Sequence, residues 1–294
     1  MTLSLYGVGV ALAAAVWLAL VFGALKGHRQ DPAALGLFVL PLSFVGARLF
    51  FCLARFEFVF FEMGWQFALA TWNGGFLMWG MLLGGVLGVY LATRRAGTGF
   101  ASTLNQVAVP TAAAIAILRL SEYFTTEGRG LWLEEDSFFC RFPFAVGNEY
   151  GEWQLAVFLW EAAIALVILC VLLKQRSSGG DSFVLLLLLY SAAQIVLESL
   201  RADSCPRIGF VRVSQVLSAI ALLVCVFLRN HRLGGRRTAL WKSGVVIVCM
   251  TAAGLLEWAL DKTSLSIPIC YALMCAAVAL ALWMGLPRKK EVEE

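Results

Sequence analysis

Nine apolar runs, each near the length needed to cross a bilayer, leave this chain few ways to fold. They are Leu3–Leu25, Ala34–Leu53, Gly74–Ala92, Leu104–Leu118, Leu155–Leu173, Phe183–Leu200, Val213–Leu228, Gly244–Leu260 and Ile267–Leu286. A transmembrane helix needs about 20 such residues. Backbone polar groups must be satisfied internally in hydrocarbon, so helices or a closed barrel are the only spanning solutions. Long continuous runs, rather than alternating ones, select helices. Only 14% of the 294 residues are charged, far fewer than a soluble domain carries. The expected fold is all-α: a polytopic membrane helix bundle. The first run has no basic segment before it and is long enough to span, so it reads as a retained helix rather than a cleaved signal peptide.

Basic residues set the expected orientation. Lys26, Arg29, Arg94, Arg95, Lys174, Arg176, the link from Arg229 to Lys242, and Arg288–Lys290 fall on one side. The opposite links carry Glu57, Glu62, Glu134, Glu135, Asp136, Glu149 and Glu152. By the positive-inside rule the N-terminus is outside and the C-terminus inside. The long segment 119–154 then lies on the outer face. The net charge of +4 is ordinary for a membrane protein and offers no support for nucleic-acid binding. His28 and His231 have no second ligand nearby, so no metal site is expected. Six of the eight cysteines lie in apolar runs, where Cys is a small hydrophobe. Cys140 and Cys205 share the outer side, where an oxidising compartment would permit a disulfide.

Chemistry concentrates at the end of the fourth run. Arg119-Leu-Ser-Glu-Tyr-Phe-Thr-Thr-Glu-Gly-Arg-Gly130 places two arginines and two carboxylates where a hydrophobic helix must stop. A lone arginine there would be read as snorkelling to the headgroups; a cluster is costly and points to a site. Arg48, inside the second run, needs a partner, and Glu161 and Glu198 are candidates. Tyr190, Gln194 and Glu198 recur at i, i+4 and i+8, on one helix face. That face either ties helices together by hydrogen bonds or lines the site. The glycines from Gly74 to Gly88 permit close helix contact; at a helix entrance, they can also leave N–H groups for an anionic headgroup.

In this order the pieces resemble the prolipoprotein diacylglyceryl transferase family, over about residues 4–228. Tyr6-Gly7 is similar to the family's early Tyr-Gly, and Gly46-Ala47-Arg48-Leu49 to its G-A-R-L. Gly74-Gly75…Gly80 stands where the family has G-G-x-x-F-H-G-G. Arg119…Glu127…Gly130 resembles R-I-G-N-F-x-N-G-E-x-x-G, and Leu159-Trp160-Glu161-Ala162 resembles L-Y-E-A. Tyr190…Glu198…Arg201 is similar to Y-G-x-x-R-x-x-x-E-x-x-R, and Gln215-Val-Leu-Ser218 to the final Q-x-L-S. Three positions depart: Trp79 replaces the family histidine, Glu122 its asparagine, and Gln194 its arginine.

The resemblance implies a seven-span core over residues 1–230, with about two further helices and a charged cytoplasmic tail in 231–294. It implies transfer of the diacylglyceryl group of phosphatidylglycerol to the lipobox cysteine of a prolipoprotein, in a bacterial cell membrane, with no cofactor. Carried onto this chain, Arg119, Glu127 and Glu122 form the catalytic group, with Glu122 in place of the missing base. Tyr6, Arg48, Gly74, Gly75, Gly80, Gly130, Tyr190, Glu198 and Arg201 bind substrate, and Glu161 and Gln215 support them. No cysteine of the chain is required, because the attacking thiol belongs to the substrate. The departures leave a second reading open, a catalytically silent paralogue that binds lipid or lipoprotein precursor. A solute transporter has less support, since neither an inverted repeat nor paired broken helices is visible.

Overall fold

The computed structural model describes residues 5–134, 137–147, 151–175, 181–202, 206–262 and 266–286. The chain is an all-α polytopic membrane protein. Among the described residues, seven helices are long and apolar enough to cross a bilayer. It divides into two compact units, Met1–Leu118 and Arg119–Glu294.

The first unit is built from α1 (Leu5–Ala24), α2 (Pro32–Ala54), the single turn α3 (Gln66–Leu69), α4 (Met78–Ala96) and most of α5 (Phe100–Ser121). Asp31 caps α2: its carboxylate accepts from the Ala33 and Ala34 N–H groups at 3.1 and 3.3 Å, and Pro32 supplies a helical φ at no hydrogen-bond cost. Glycines bring α2 and α4 into backbone contact. A Cβ on Gly80 would strike the Gly46 carbonyl and lie 2.6 Å from Phe50 Cβ; one on Gly88 would lie 2.6 Å from Val39 Cα. Trp17, Val21, Leu35, Val39, Val89 and Val107 form the core between these helices.

Two departures from the nine expected spans appear here. The third run does not begin as helix at Gly74: Gly74 and Gly75 both take positive φ, and α4 starts only at Met78. Diluted by glycine and closing on Arg94 and Arg95, α4 is absent from the seven strongly apolar helices.

The second unit opens with the last turn of α5 and the segment that follows it. Strands β1 (Trp132–Leu133), β2 (Ala145–Gly147) and β3 (Trp153–Leu155) form a small antiparallel sheet in the order β1-β3-β2. Then come α6 (Val157–Gln175), α7 (Ser182–Leu200), a two-stranded ribbon of β4 (Arg207–Ile208) and β5 (Val211–Arg212), α8 (Val213–Lys262) and α9 (Ile267–Gly285). The seventh and eighth apolar runs are both within α8, broken at Gly235, whose φ of 74° and ψ of 178° leave the helical region. Both arms of α8 and all of α9 pack with α7 in one core containing Leu188, Leu222, Val226, Val246, Met274 and Ala281. Residues beyond 230 are therefore integral to this unit's packing.

Of the charged residues used for orientation, Glu135, Asp136, Glu149, Arg176 and Arg288–Lys290 lie outside the described residues. So does Cys205, with which a Cys140 disulfide was permitted.

Candidate functional site

Each unit carries one buried arginine centre, and the two are built differently. In the first unit Arg48 projects from α2 into the loop between α3 and α4. Its Nε donates to the Ala68 carbonyl at 3.1 Å, Nη1 to Gly75 at 3.0 Å and also to Gly74, and Nη2 to Ala70 at 3.3 Å and also to Phe67. The rings of Phe51, Phe67 and Phe76 surround it, with centroids 5.5, 5.1 and 5.9 Å from Cζ. All of these partners are neutral, which corrects the expectation that Glu161 or Glu198 would serve Arg48. The loop turns the Gly74 and Gly75 carbonyls toward this charge. Gly75 must be glycine, because a Cβ would sit 2.7 Å from Arg48 Nη1 and 2.6 Å from Phe51 Cε1. Gly80 is spent on the crossing of α2 and α4. Tyr6 is half-buried on α1, and Trp79, at the family's histidine position, is buried in the first turn of α4.

The second unit holds the ionic centre. Arg119, 4% exposed, ends α5. Its Nη1 donates to Glu122 Oε1 at 2.6 Å, its Nε lies 3.1 Å from Glu161 Oε2, and its Nη2 donates to the Tyr190 hydroxyl at 3.2 Å. Glu161, on α6, is shared: Oε2 lies 3.4 Å from Arg201 Nη1 and Oε1 accepts from Gln194 Nε2 at 3.0 Å. Glu198 lies 3.8 Å from Arg201. The i, i+4, i+8 face of α7 thus meets the centre at every step, Tyr190 on Arg119, Gln194 on Glu161 and Glu198 on Arg201. Gln194 makes with its amide a contact to Glu161 that an arginine would make with charge.

The segment after α5 closes over this centre. A 3-10 turn, Glu122–Phe124, follows α5 directly and buries Glu122. Gly128, at φ 74°, passes so near Glu122 Oε2 that a Cβ there would collide with it. Gly130 forms an antiparallel bridge with Arg201 and donates its N–H to the Leu155 carbonyl at 2.7 Å. A Cβ on Gly130 would lie 2.6 Å from Val157 Cγ2 and 2.8 Å from the Leu200 carbonyl oxygen, so it too is a packing glycine. Glu127 does not pair with Arg119. It is exposed, and the carboxylates on Arg119 are Glu122 and Glu161.

Two participants escaped sequence reasoning. Arg212, at the end of β5, is buried and donates through Nη2 to the Arg201 carbonyl. Gln215 accepts from the Arg212 N–H at 2.9 Å and donates to the Ile195 carbonyl at 3.2 Å and to Glu257 Oε2 at 3.4 Å. Glu257 comes from the second arm of α8, beside an apolar cavity of about 340 Å³ lined also by Ile220, Val246 and Met274. A carboxylate inside an apolar run was the available signal.

Buried ionic groups are tolerated only when paired, and here three arginines (Arg119, Arg201, Arg212) accompany three glutamates (Glu122, Glu161, Glu198). Glu122 Oε2 and Glu198 Oε2 are buried without a hydrogen-bond partner among the described residues. Such a centre can orient a donor group or accept a proton, and can meet a polar headgroup where helices end.

Fold and centre together define a class: a multi-pass membrane protein with an arginine–glutamate site at its helix ends. The sequence profile described as "Prolipoprotein diacylglyceryl transferase" matches residues 1–230. Proteins named phosphatidylglycerol–prolipoprotein diacylglyceryl transferase are similar to it. The one from Frankia alni is 31% identical over 211 residues, 69% of this chain and 55% of that relative's length. Those from Lactobacillus delbrueckii subsp. bulgaricus and Streptococcus suis are 27% and 28% identical, over 76% and 72% of this chain and 85% and 81% of their own lengths. The chain belongs to the prolipoprotein diacylglyceryl transferase family.

Proposed function

We propose that this chain transfers the diacylglyceryl group of phosphatidylglycerol, or a related anionic lipid, to the lipobox cysteine of a prolipoprotein. It does so at the outer face of a bacterial cytoplasmic membrane, with residues 1–230 as the transferase core. The observation that carries the reading is Arg119, buried at a helix end and fixed on three sides by Glu122, Glu161 and Tyr190. In the reaction the substrate sulfur bonds to the glyceryl carbon, the carbon–oxygen bond to phosphate breaks, and glycerol phosphate leaves with the electron pair. A fixed guanidinium is suited to the phosphate oxygens on which that charge develops. Glu122, whose Oε2 has no hydrogen-bond partner among the described residues, would receive the thiol proton. Arg201 and Arg212 hold Glu161 and the ends of α7 and α8 in register around Arg119. No cofactor enters this scheme.

A second reading, a silent member of the family that binds lipid or precursor, draws support from the charge balance. With three arginines matched by three glutamates, the described centre holds no surplus cation for a phosphate. Complementation separates the two readings. In cells depleted of their own diacylglyceryl transferase, expression of this chain should restore growth and lipoprotein processing. Failure of rescue, with the protein shown to be inserted, would leave the silent reading.

A further inference from the structure

Between β1 and β2 the chain exposes a group of rings that the site does not use. Phe138 and Phe142 are 69% and 68% exposed, and Phe139 and Phe144 are exposed beside them. Phe138, Phe139 and Phe144 pack on one another, with centroids 5.6 to 6.5 Å apart. The Arg141 guanidinium stacks on the outermost ring, its Cζ 3.8 Å from the Phe138 centroid. The loop is built to hold this shape. Phe144 and Ala145 donate their N–H groups to the Arg141 carbonyl at 2.9 and 3.1 Å, and the Cys140 thiol donates to the Glu134 carbonyl at 3.0 Å.

The height of the group follows from its attachment to α6. Ala145 pairs with Leu155, and the Ala156 N–H donates to the Phe144 carbonyl at 2.9 Å, one residue before α6 begins at Val157. The 19 residues of α6 span about 28 Å at the helical rise, nearly the whole of a hydrocarbon core of about 30 Å. The first turn of α6 therefore lies at the edge of the hydrocarbon, and Phe144 lies with it. Rings and a cation at that level match the headgroup–acyl boundary: the rings enter the acyl side and the guanidinium remains among phosphates. In water the same exposed rings would be an aggregation liability.

We propose that residues 138–144 form an interfacial foot that inserts into the leaflet where α5 ends and α6 begins. Its occupant is the bilayer surface, with Arg141 on lipid phosphate. The inference does not depend on transfer activity. It can be tested on the full chain in nanodiscs of phosphatidylcholine and phosphatidylglycerol containing a phosphatidylcholine with a diazirine near the carbonyl end of one acyl chain. After illumination, peptide mapping should find adducts on residues 138–144 as well as on α9, the internal control. The double variant Phe138→Ser/Phe142→Ser should lose adducts in the foot several-fold while α9 labelling is unchanged. Arg141→Gln should lower the foot signal about two- to threefold. Labelling of α9 with none on 138–144 would overturn the proposal. So would unchanged capture in the double variant, or capture of these residues by a photoreactive lipobox peptide and not by lipid.

Discussion

Arg48 and Arg119 are both buried arginines of membrane-associated helices, yet they are held by opposite means. Arg48 sits in a neutral cage of five backbone carbonyls, from α3 and the loop before α4, and three aromatic rings. Arg119 is held by two carboxylates and a phenol from three different elements. The carbonyl cage uses Nε, Nη1 and Nη2 of its guanidinium to fix the segment that leads to α4. The side-chain network leaves carboxylate oxygens unfilled, so it can exchange a proton or a donor with a substrate. An arginine that consumes backbone carbonyls is architectural; one that shares carboxylates can do chemistry.

The largest expected effect breaks the chemical half of this comparison. Arg119→Ala should reduce transfer by about 10²- to 10³-fold, as for loss of one electrostatic stabiliser, with membrane insertion intact by fractionation. Arg48→Ala should act on the fold. Removing the one donor that these carbonyls share costs at least about 3 kcal/mol, so a large fall in thermal unfolding temperature and in yield of inserted protein is expected. Any activity per folded molecule should then be reduced less than in Arg119→Ala. Equal losses per folded molecule would erase the distinction. Gly88→Leu, at the crossing of α2 and α4, should destabilise by about 1–3 kcal/mol through overpacking, also read by thermal unfolding. The smallest effect tests how far the ionic network reaches. Glu257→Ala removes one hydrogen bond to Gln215 and should cost about 0.5–1.5 kcal/mol, with activity changed less than twofold. A tenfold loss would move Glu257 into the working site.

Spacing in the sequence was enough to place the apolar runs, the cluster at Arg119 and the Tyr190–Gln194–Glu198 face. Each rests on periodicity or on charge in an apolar setting, signals local to a few residues. The partners were not legible. Arg48 invited a carboxylate because sequence displays side chains, whereas the cage is made of main-chain oxygens aimed by the positive φ of Gly74 and Gly75. Glu127 and Glu122 lie five residues apart, and only the 3-10 turn after α5 decides which is buried. Gly80 and Gly130 carried family motifs, but their neighbours, Gly46 and Val157, come from distant parts of the chain. Arg212 and Glu257 were hidden for the same reason: Arg212 reaches back to the Arg201 carbonyl, and Glu257 meets Gln215 only when α8 folds back at Gly235.

The most direct measurement is transfer itself. Purified chain, phosphatidylglycerol vesicles and a lipobox peptide should give a thioether-linked diacylglyceryl peptide and free glycerol phosphate by mass spectrometry. Arg119→Ala should abolish both products, and Glu122→Gln should lower them sharply. Product formation undiminished in Arg119→Ala, or no product from a folded wild-type chain, would contradict the assignment of catalysis to the Arg119 centre.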